Sequence, residues 1–353
     1  MNINKNEAIN FTSKLGTGWN LGNTFDAFDN NFSGEEPEME VCWCGVKTSN
    51  SLIKAIAEKG FKTIRIPVSW HNHVDEDCRI NAIWMNRVEE VVKQAFDCGL
   101  YVILNCHHDT DENYCYPRKD LFEKASKYIS AVWQQIAERF QNYDERLIFE
   151  GMNEPRLRGT KYEWNFNPKI ELCRDAMECI NKLNQVFIDA VRSCGAFNKT
   201  RYLMVPAYAA KPDVAASEYF KLPEDSAENR IIVSAHAYSP FSFCLESPGT
   251  DRFSEENTAQ TGEIKAAINC LYEKFIANGV PVIMGEFGAQ DKHNIADRVR
   301  CVAYYTKAAR EAQIPCCIWD NSYFEKGDEF FGLINRETAE WVYPEIADAA
   351  IMG

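Results

Sequence analysis

The sequence predicts an α/β protein built as a single closed (β/α)8 barrel, a TIM barrel, with extended βα loops. Eight short apolar runs, rich in β-branched residues, are separated by segments of helical periodicity without a break in the alternation. Such alternation argues for parallel strands joined by helical crossovers, and a doubly wound sheet does not need eight of them. Length agrees. The chain has 353 residues, whereas a barrel needs roughly 250, and the surplus falls in loops at about 25–48, 155–169, 239–262 and 321–345.

The elements follow in order. Residues 1–14 read as a short helical lead-in, 15–23 as a Gly-rich first strand, and Phe25 opens a polar, acidic loop that runs to about Thr48. Segment 51–60 sets Leu52, Ile53, Ile56 and Ala57 at helical spacing and stops at a glycine, before the second strand at 63–68. A helix over 84–97 ends at Gly99 and leads into the third strand at 101–108. The helix at 120–140 precedes the fourth strand, 147–155, where an apolar run breaks into Asn153, Glu154 and Pro155. Proline cannot continue a central strand, so Glu154 stands where the strand ends. Helices at about 170–192, 263–278 and 296–312 and strands at 202–206, 231–238, 281–288 and 315–320 complete the pattern. Neither a linker nor a repeat interrupts it, so residues 1–353 are read as one catalytic domain.

Composition narrows the function. The chain is 46% hydrophobic and 12% aromatic, enough for a large packed core. No run reaches the roughly 18 apolar residues needed to cross a bilayer, and the N-terminus lacks the basic-then-apolar pattern of a signal peptide. A soluble protein is expected, acting as a monomer and without membrane partners. It is secreted or cell-surface in a bacterium if a signal peptide has been removed, and otherwise cytoplasmic, acting on imported oligosaccharides. A net charge of −14 repels phosphate backbones, which argues against nucleic acid as a partner; a neutral substrate does not feel it. The fourteen cysteines are scattered, and the close pairs Cys42/Cys44 and Cys316/Cys317 lack zinc or redox spacing. They read as buried reduced thiols used as small hydrophobes.

In parallel α/β folds, ligands bind where the carboxyl ends of the strands converge. Asn20, Arg65, His107, His108, Asn153, Glu154, His236, Tyr238, Glu286 and Trp319 all fall at such ends. Any one of them has a structural explanation as an ion pair or a satisfied core histidine; ten on one rim do not. Glu154 and Glu286 decide the chemistry. The fourth and seventh strands face each other across the barrel mouth, so two carboxyls meet over a ligand, one kept protonated and the other ionised. That division of labour cleaves a glycosidic bond. Arg65 and the Tyr238 hydroxyl would hold Glu286 ionised, and His236 would hydrogen-bond Glu154. Asn153 would reach a sugar 2-hydroxyl, and Trp319 would supply a flat floor for the ring. Glu150, on the strand itself, reads as structural.

The segments 18–23, 65–67, 153–155, 236–238 and 285–288, with Trp319, together resemble glycoside hydrolase family 5, of clan A. The likeness is strongest to its bacterial endo-β-1,4-glucanase and xyloglucanase branch. It implies a retaining double displacement with Glu154 as acid/base and Glu286 as nucleophile, and no metal or cofactor. Arg65, His107, Asn153, His236 and Tyr238 match the supporting positions of the family; Asn20, Trp43, His108 and Trp319 are taken as substrate-binding. Where that branch has Trp-Gly-Asn-Pro, this chain has Trp43, Cys44, Gly45 and Val46. The implied substrate is a soluble β-1,4-linked glucan, including mixed-linkage glucan and xyloglucan, with xylan and mannan as alternatives. A non-catalytic carbohydrate-binding barrel would lose one of the two carboxylates. A metal-dependent hydrolase would use His71 and His73, which lie past the second strand in loop sequence.

Overall fold

The computed structural model describes residues 6–325 and 329–353. Eight parallel strands pair in sequence order and close, β8 returning to β1: β1 Gly18–Leu21, β2 Thr63–Ile66, β3 Tyr101–Asn105, β4 Leu147–Glu150, β5 Leu203–Pro206, β6 Ile231–His236, β7 Val282–Phe287 and β8 Cys316–Asp320. The helices are α1 Glu7–Thr12, α2 Asn50–Lys59, α3 Ala82–Asp97, α4 Phe122–Arg139, α5 Glu171–Ser193, α6 Pro212–Ala215, α7 Phe241–Cys244, α8 Thr258–Lys274, α9 Ile295–Glu311 and α10 Pro344–Met352. The expected (β/α)8 barrel is the observed one.

Local chemistry sets the element ends. The Ser49 hydroxyl accepts the Leu52 N–H at the start of α2, and Gly60 closes that helix at φ +117°, a conformation that a side chain would strain. Asn81 caps α3 in the same way. The helix expected from 263 begins at Thr258, because Asn257 accepts the N–H groups of Ala259 and Gln260. Its polar first turn, Thr258 to Gly262, carries no apolar periodicity to reveal it. The loop at 321–345 holds a two-stranded ribbon, Ile334–Asn335 with Glu340–Trp341, too short to show an alternating pattern.

Strand alternation sorts the side chains into an outer and an inner face. Ile64, Ile66, Val102, Leu104, Leu147, Phe149, Val233 and Met284 point outward and pack under the helices in one continuous core. Inward, at the lower end, Ile103, Ile148, Met204, Ile232, Ile283 and Cys317 form a separate apolar plug, capped by Ala8 and Phe11 of α1 and by Leu15. Two residues further along three of the same strands, Asn105, Glu150 and Ser234, with Arg65 of β2, form a buried polar layer. The mouth of the barrel stands on that layer. All fourteen cysteines are free thiols and nine are buried, in keeping with their use as small hydrophobes.

Candidate active site

Arg65 organises the rim. Its Nε donates to Glu150 at 2.8 Å, Nη1 to Glu286 at 2.8 Å and to Asn20 at 2.9 Å, and Nη2 to Asn153 at 2.6 Å. Arg65 and Glu150 are completely buried, and a guanidinium there is stable only with its donors satisfied. Burial works against its charge, but the carboxylates of Glu150 and Glu286 outweigh that and raise its pKa further. Glu150 also accepts from Asn105 at 3.0 Å and from the Ser234 hydroxyl, so it anchors Arg65 and has no free face toward the cleft.

Glu286 is held at both oxygens, by Arg65 on Oε1 and by the Tyr238 hydroxyl on Oε2 at 2.9 Å. Strict alternation from Ile283 would turn this side chain outward. The register of β7 shifts instead, against β8 between Met284 and Phe287 and against β6 between Ala235 and His236, and the bulge turns Glu286 toward the cleft. Gly285 makes room: a Cβ there would lie 2.8 Å from His236 Nε2.

Glu154 follows β4 and meets His236, whose Nδ1 lies 2.8 Å from its Oε1. Burial favours a neutral carboxyl, yet the His236 hydrogen bond and charge, then Arg156 and Arg65, hold the Glu154 pKa lower. His236 is correspondingly raised: burial opposes its charge, but Glu286 and Glu154 outweigh that. Its Nε2 has no hydrogen-bond partner and faces Glu150 Oε1 at 3.9 Å. The pair is thus joined by one hydrogen bond along which a proton can pass. Ligand-type atoms of Glu154, His236 and Glu286 all lie within 4.8 Å of one another. One oxygen of each carboxylate thus lies within 4.8 Å of one on the other, close enough for both to reach the same glycosidic bond.

His107 is held between two side-chain amides. The Asn105 carbonyl accepts the Val68 N–H at 3.0 Å, which turns its amide nitrogen toward His107 Nδ1, also at 3.0 Å. Its Nε2 lies 3.9 Å from Glu286 Oε1. Burial, and then the neighbouring charges of His108 and Arg65, keep this imidazole well below its usual pKa. Asn153 gives its carbonyl to Arg65, which turns its amide nitrogen toward His107 Nε2, 3.4 Å away beside Glu286. An amide donor there suits a sugar hydroxyl next to the reacting carbon. Trp319 lies parallel to His107, with centroids 5.9 Å apart and planes 3° from parallel.

A family model described as cellulase, glycosyl hydrolase family 5, matches residues 25–325. The chain belongs to glycosyl hydrolase family 5. Endoglucanase B of Ruminococcus albus is 42% identical over 344 residues, covering 97% of this chain and 79% of the relative. A mutant family 5 lichenase from Caldicellulosiruptor sp. F32, solved with cellotetraose, superposes at TM-score 0.98 with 46% identity, covering 100% of this chain and 96% of that one. XEG5A, a xyloglucan-specific endo-β-1,4-glucanase from a metagenomic library solved with cellotriose, gives TM-score 0.89 and 33% identity over 98% of each chain. The protein is a glycoside hydrolase of the endoglucanase type.

In this family 5 barrel most of the sequence-derived site residues converge, with one correction. Asn20 does not face substrate. It is fully buried, donating to the carbonyls of Gly285 at 2.9 Å and Cys317 at 3.1 Å and accepting from Arg65, so it steadies the guanidinium from below. Trp43 and His108 stand together at the rim, with ring centroids 5.6 Å apart. His71 and His73 are taken by different partners, Asp109 at 3.2 Å and Glu36 at 2.6 Å, and His73 stacks on Trp84. Among the described residues, the two metal-capable groupings are Asp26 with His107 and His108, and Glu154 with His236 and Glu286; neither includes His71 or His73. Of the loop aromatics, Trp70 and Phe243 are core residues, whereas Trp164 and Phe241 stand exposed.

Sequence reasoning missed four contributors. Asn105 and Ser234 sit two residues after the inward-facing Ile103 and Ile232, a spacing that would have found them. Asp26 accepts the N–H groups of Asn23 and Thr24 and lies 3.7 Å from His108 Nε2; nothing in an acidic loop singles it out. Arg156, two residues past Glu154, lies in loop sequence where no periodicity marks it.

Proposed function

We propose that this chain is a retaining endo-β-1,4-glucanase acting on soluble β-glucans, with Glu286 as nucleophile and Glu154 as acid/base. The close approach of the two carboxylates carries the reading. In the first step a Glu286 oxygen attacks the anomeric carbon while the proton held by Glu154 and His236 passes to the glycosidic oxygen, and the aglycone leaves. A glucosyl ester on Glu286 results. In the second step Glu154 takes a proton from water, the hydroxide attacks the same carbon, and Glu286 departs, so the β configuration is restored. Arg65 and Tyr238 hold both oxygens of Glu286 in place for the first attack. No step calls for a metal.

The relatives' endoglucanase, lichenase and xyloglucanase activities favour a β-glucan backbone over xylan or mannan, and the exposed rim aromatics suit internal attack on a polymer. A polymeric substrate places the enzyme outside the cell or on its surface. Two measurements test the reading. Glu286→Gln should lose turnover with the fold intact, and Glu154→Gln should lower kcat on oligosaccharides by about 10²- to 10⁴-fold. Near-normal rates in either variant overturn the assignment. Rates should be highest on lichenan, carboxymethylcellulose or xyloglucan; a clear preference for xylan or mannan would redirect the substrate reading alone.

A further inference from the structure

The loop after β4 does more than leave the barrel. The Tyr208 hydroxyl donates to the Tyr162 carbonyl at 2.7 Å and accepts the Leu157 N–H at 2.9 Å, so the loop is tied down at two points. On this base Arg156 bridges three groups. Its Nε donates to Glu163 at 3.2 Å, and its Nη1 donates to the Glu154 carbonyl oxygen at 3.0 Å and lies 3.9 Å from Glu154 Oε2. The face of the guanidinium covers the Trp164 ring, with 3.9 Å between the guanidinium carbon and the centroid. Glu163 is fixed in turn by the Gly159 N–H at 2.8 Å. Arg156 takes one face of Trp164, and the residue still remains 55% exposed, a large apolar surface.

The two oxygens of Glu154 therefore have different neighbours: His236 on Oε1 and the Arg156 charge near Oε2. The leaving sugar takes its proton from Glu154, so its chain departs past the residues next to that carboxyl. Resting on the assignment of Glu154 as acid/base, we propose that Arg156 is a positioning residue that couples an aglycone platform at Trp164 to Glu154. A sugar stacked on the open face of Trp164 closes off the edge of the guanidinium that still meets water, 14% of the Arg156 side chain. The cation then acts more strongly on the carboxylate that forms as Glu154 gives up its proton. Binding energy at the platform thus lowers the barrier to bond cleavage. The other groups facing Glu154 are His236, Glu286, Arg65 and the Tyr238 phenol; of the cations among them, Arg156 alone also touches an exposed platform.

The test compares two substrates. Cellohexaose needs both protonation and an aglycone site. In 2,4-dinitrophenyl β-cellobioside the leaving phenolate needs no proton and has no sugar to stack. Arg156→Met and Trp164→Ala should each lower kcat/KM on cellohexaose about tenfold, the range of a desolvated cation–π contact, and leave the aryl cellobioside within about twofold. Removing the Arg156 charge makes the proton harder to lose, so Arg156→Met should move the basic limb of kcat/KM upward by about half a pH unit. Trp164→Ala and Arg156→Lys should leave that limb in place. Equal losses on both substrates, or an unmoved limb in Arg156→Met, overturn the proposal. Trp164→Ala alters an exposed side chain, so its substrate ratio decides the matter even if Arg156→Met folds poorly. Glu154→Ala is the control for the underlying assignment: sparing of the aryl substrate supports it, and equal loss on both substrates overturns it rather than the coupling.

Discussion

The two ends of the barrel interior are built on the same strands and behave as opposites. At the lower end Ile103, Ile148, Ile232 and Ile283 meet in an apolar plug closed by α1. One inward position higher, Asn105, Glu150, Ser234 and Gly285 take their places, and Arg65 is buried among them with every donor nitrogen engaged. A two-residue step thus separates a region whose purpose is packing from one in which buried charge is held ready for chemistry. The lower layer tolerates any apolar side chain of the right volume. The upper layer tolerates little, because removing one partner leaves a charge stranded without water.

The largest test of this contrast is Glu150→Ala. It strands Arg65 and should cost about 3–5 kcal/mol, lowering the unfolding midpoint and, in whatever remains folded, turnover. A variant with normal stability and normal kcat would break the comparison. Ile148→Ala, on the same strand and the same face, should cost about 2–5 kcal/mol through the cavity it opens. Its kcat/KM, measured below the unfolding midpoint, should be unchanged. Gly285→Ala sharpens the boundary between the layers: the added methyl meets His236, and kcat should fall on the order of 10- to 100-fold from displacement alone. The smallest effect is a pH readout. Because the His236 pKa is raised above its ordinary 6.5, the pair keeps its shared proton as pH rises through that value. The basic limb of kcat/KM should therefore lie above pH 6.5, and a limb below it would mean that the imidazole does not hold the proton.

Much of the site was legible because a rule connects sequence position to height. Residues at the carboxyl ends of parallel strands share a rim, which brought Arg65, His107, Asn153, Glu154, His236, Tyr238, Glu286 and Trp319 together before any coordinates. The same rule failed at Asn20. It gives height along a strand but does not say whether a polar side chain reaches the cleft or is spent below it, and Asn20 is spent on Arg65 and two carbonyls. Arg156 escaped for the reverse reason. It lies beyond the strand, where no periodicity operates, and its neighbours Glu163 and Trp164 are brought to it only by the fold of the loop.

The sequence by itself determined the alternation of strand and helix and the number of strands. These depend on local propensity and on a period of two, which are properties of neighbouring residues. Tertiary structure alone decided how Glu286 comes to face the cleft, as its strand-end position predicts. Alternation from Ile283 assigns it outward, and only the register shifts of β7 against β6 and β8 bring its carboxylate under Arg65 and Tyr238. A bulge is a relation between two strands, so the residues of one strand cannot announce it.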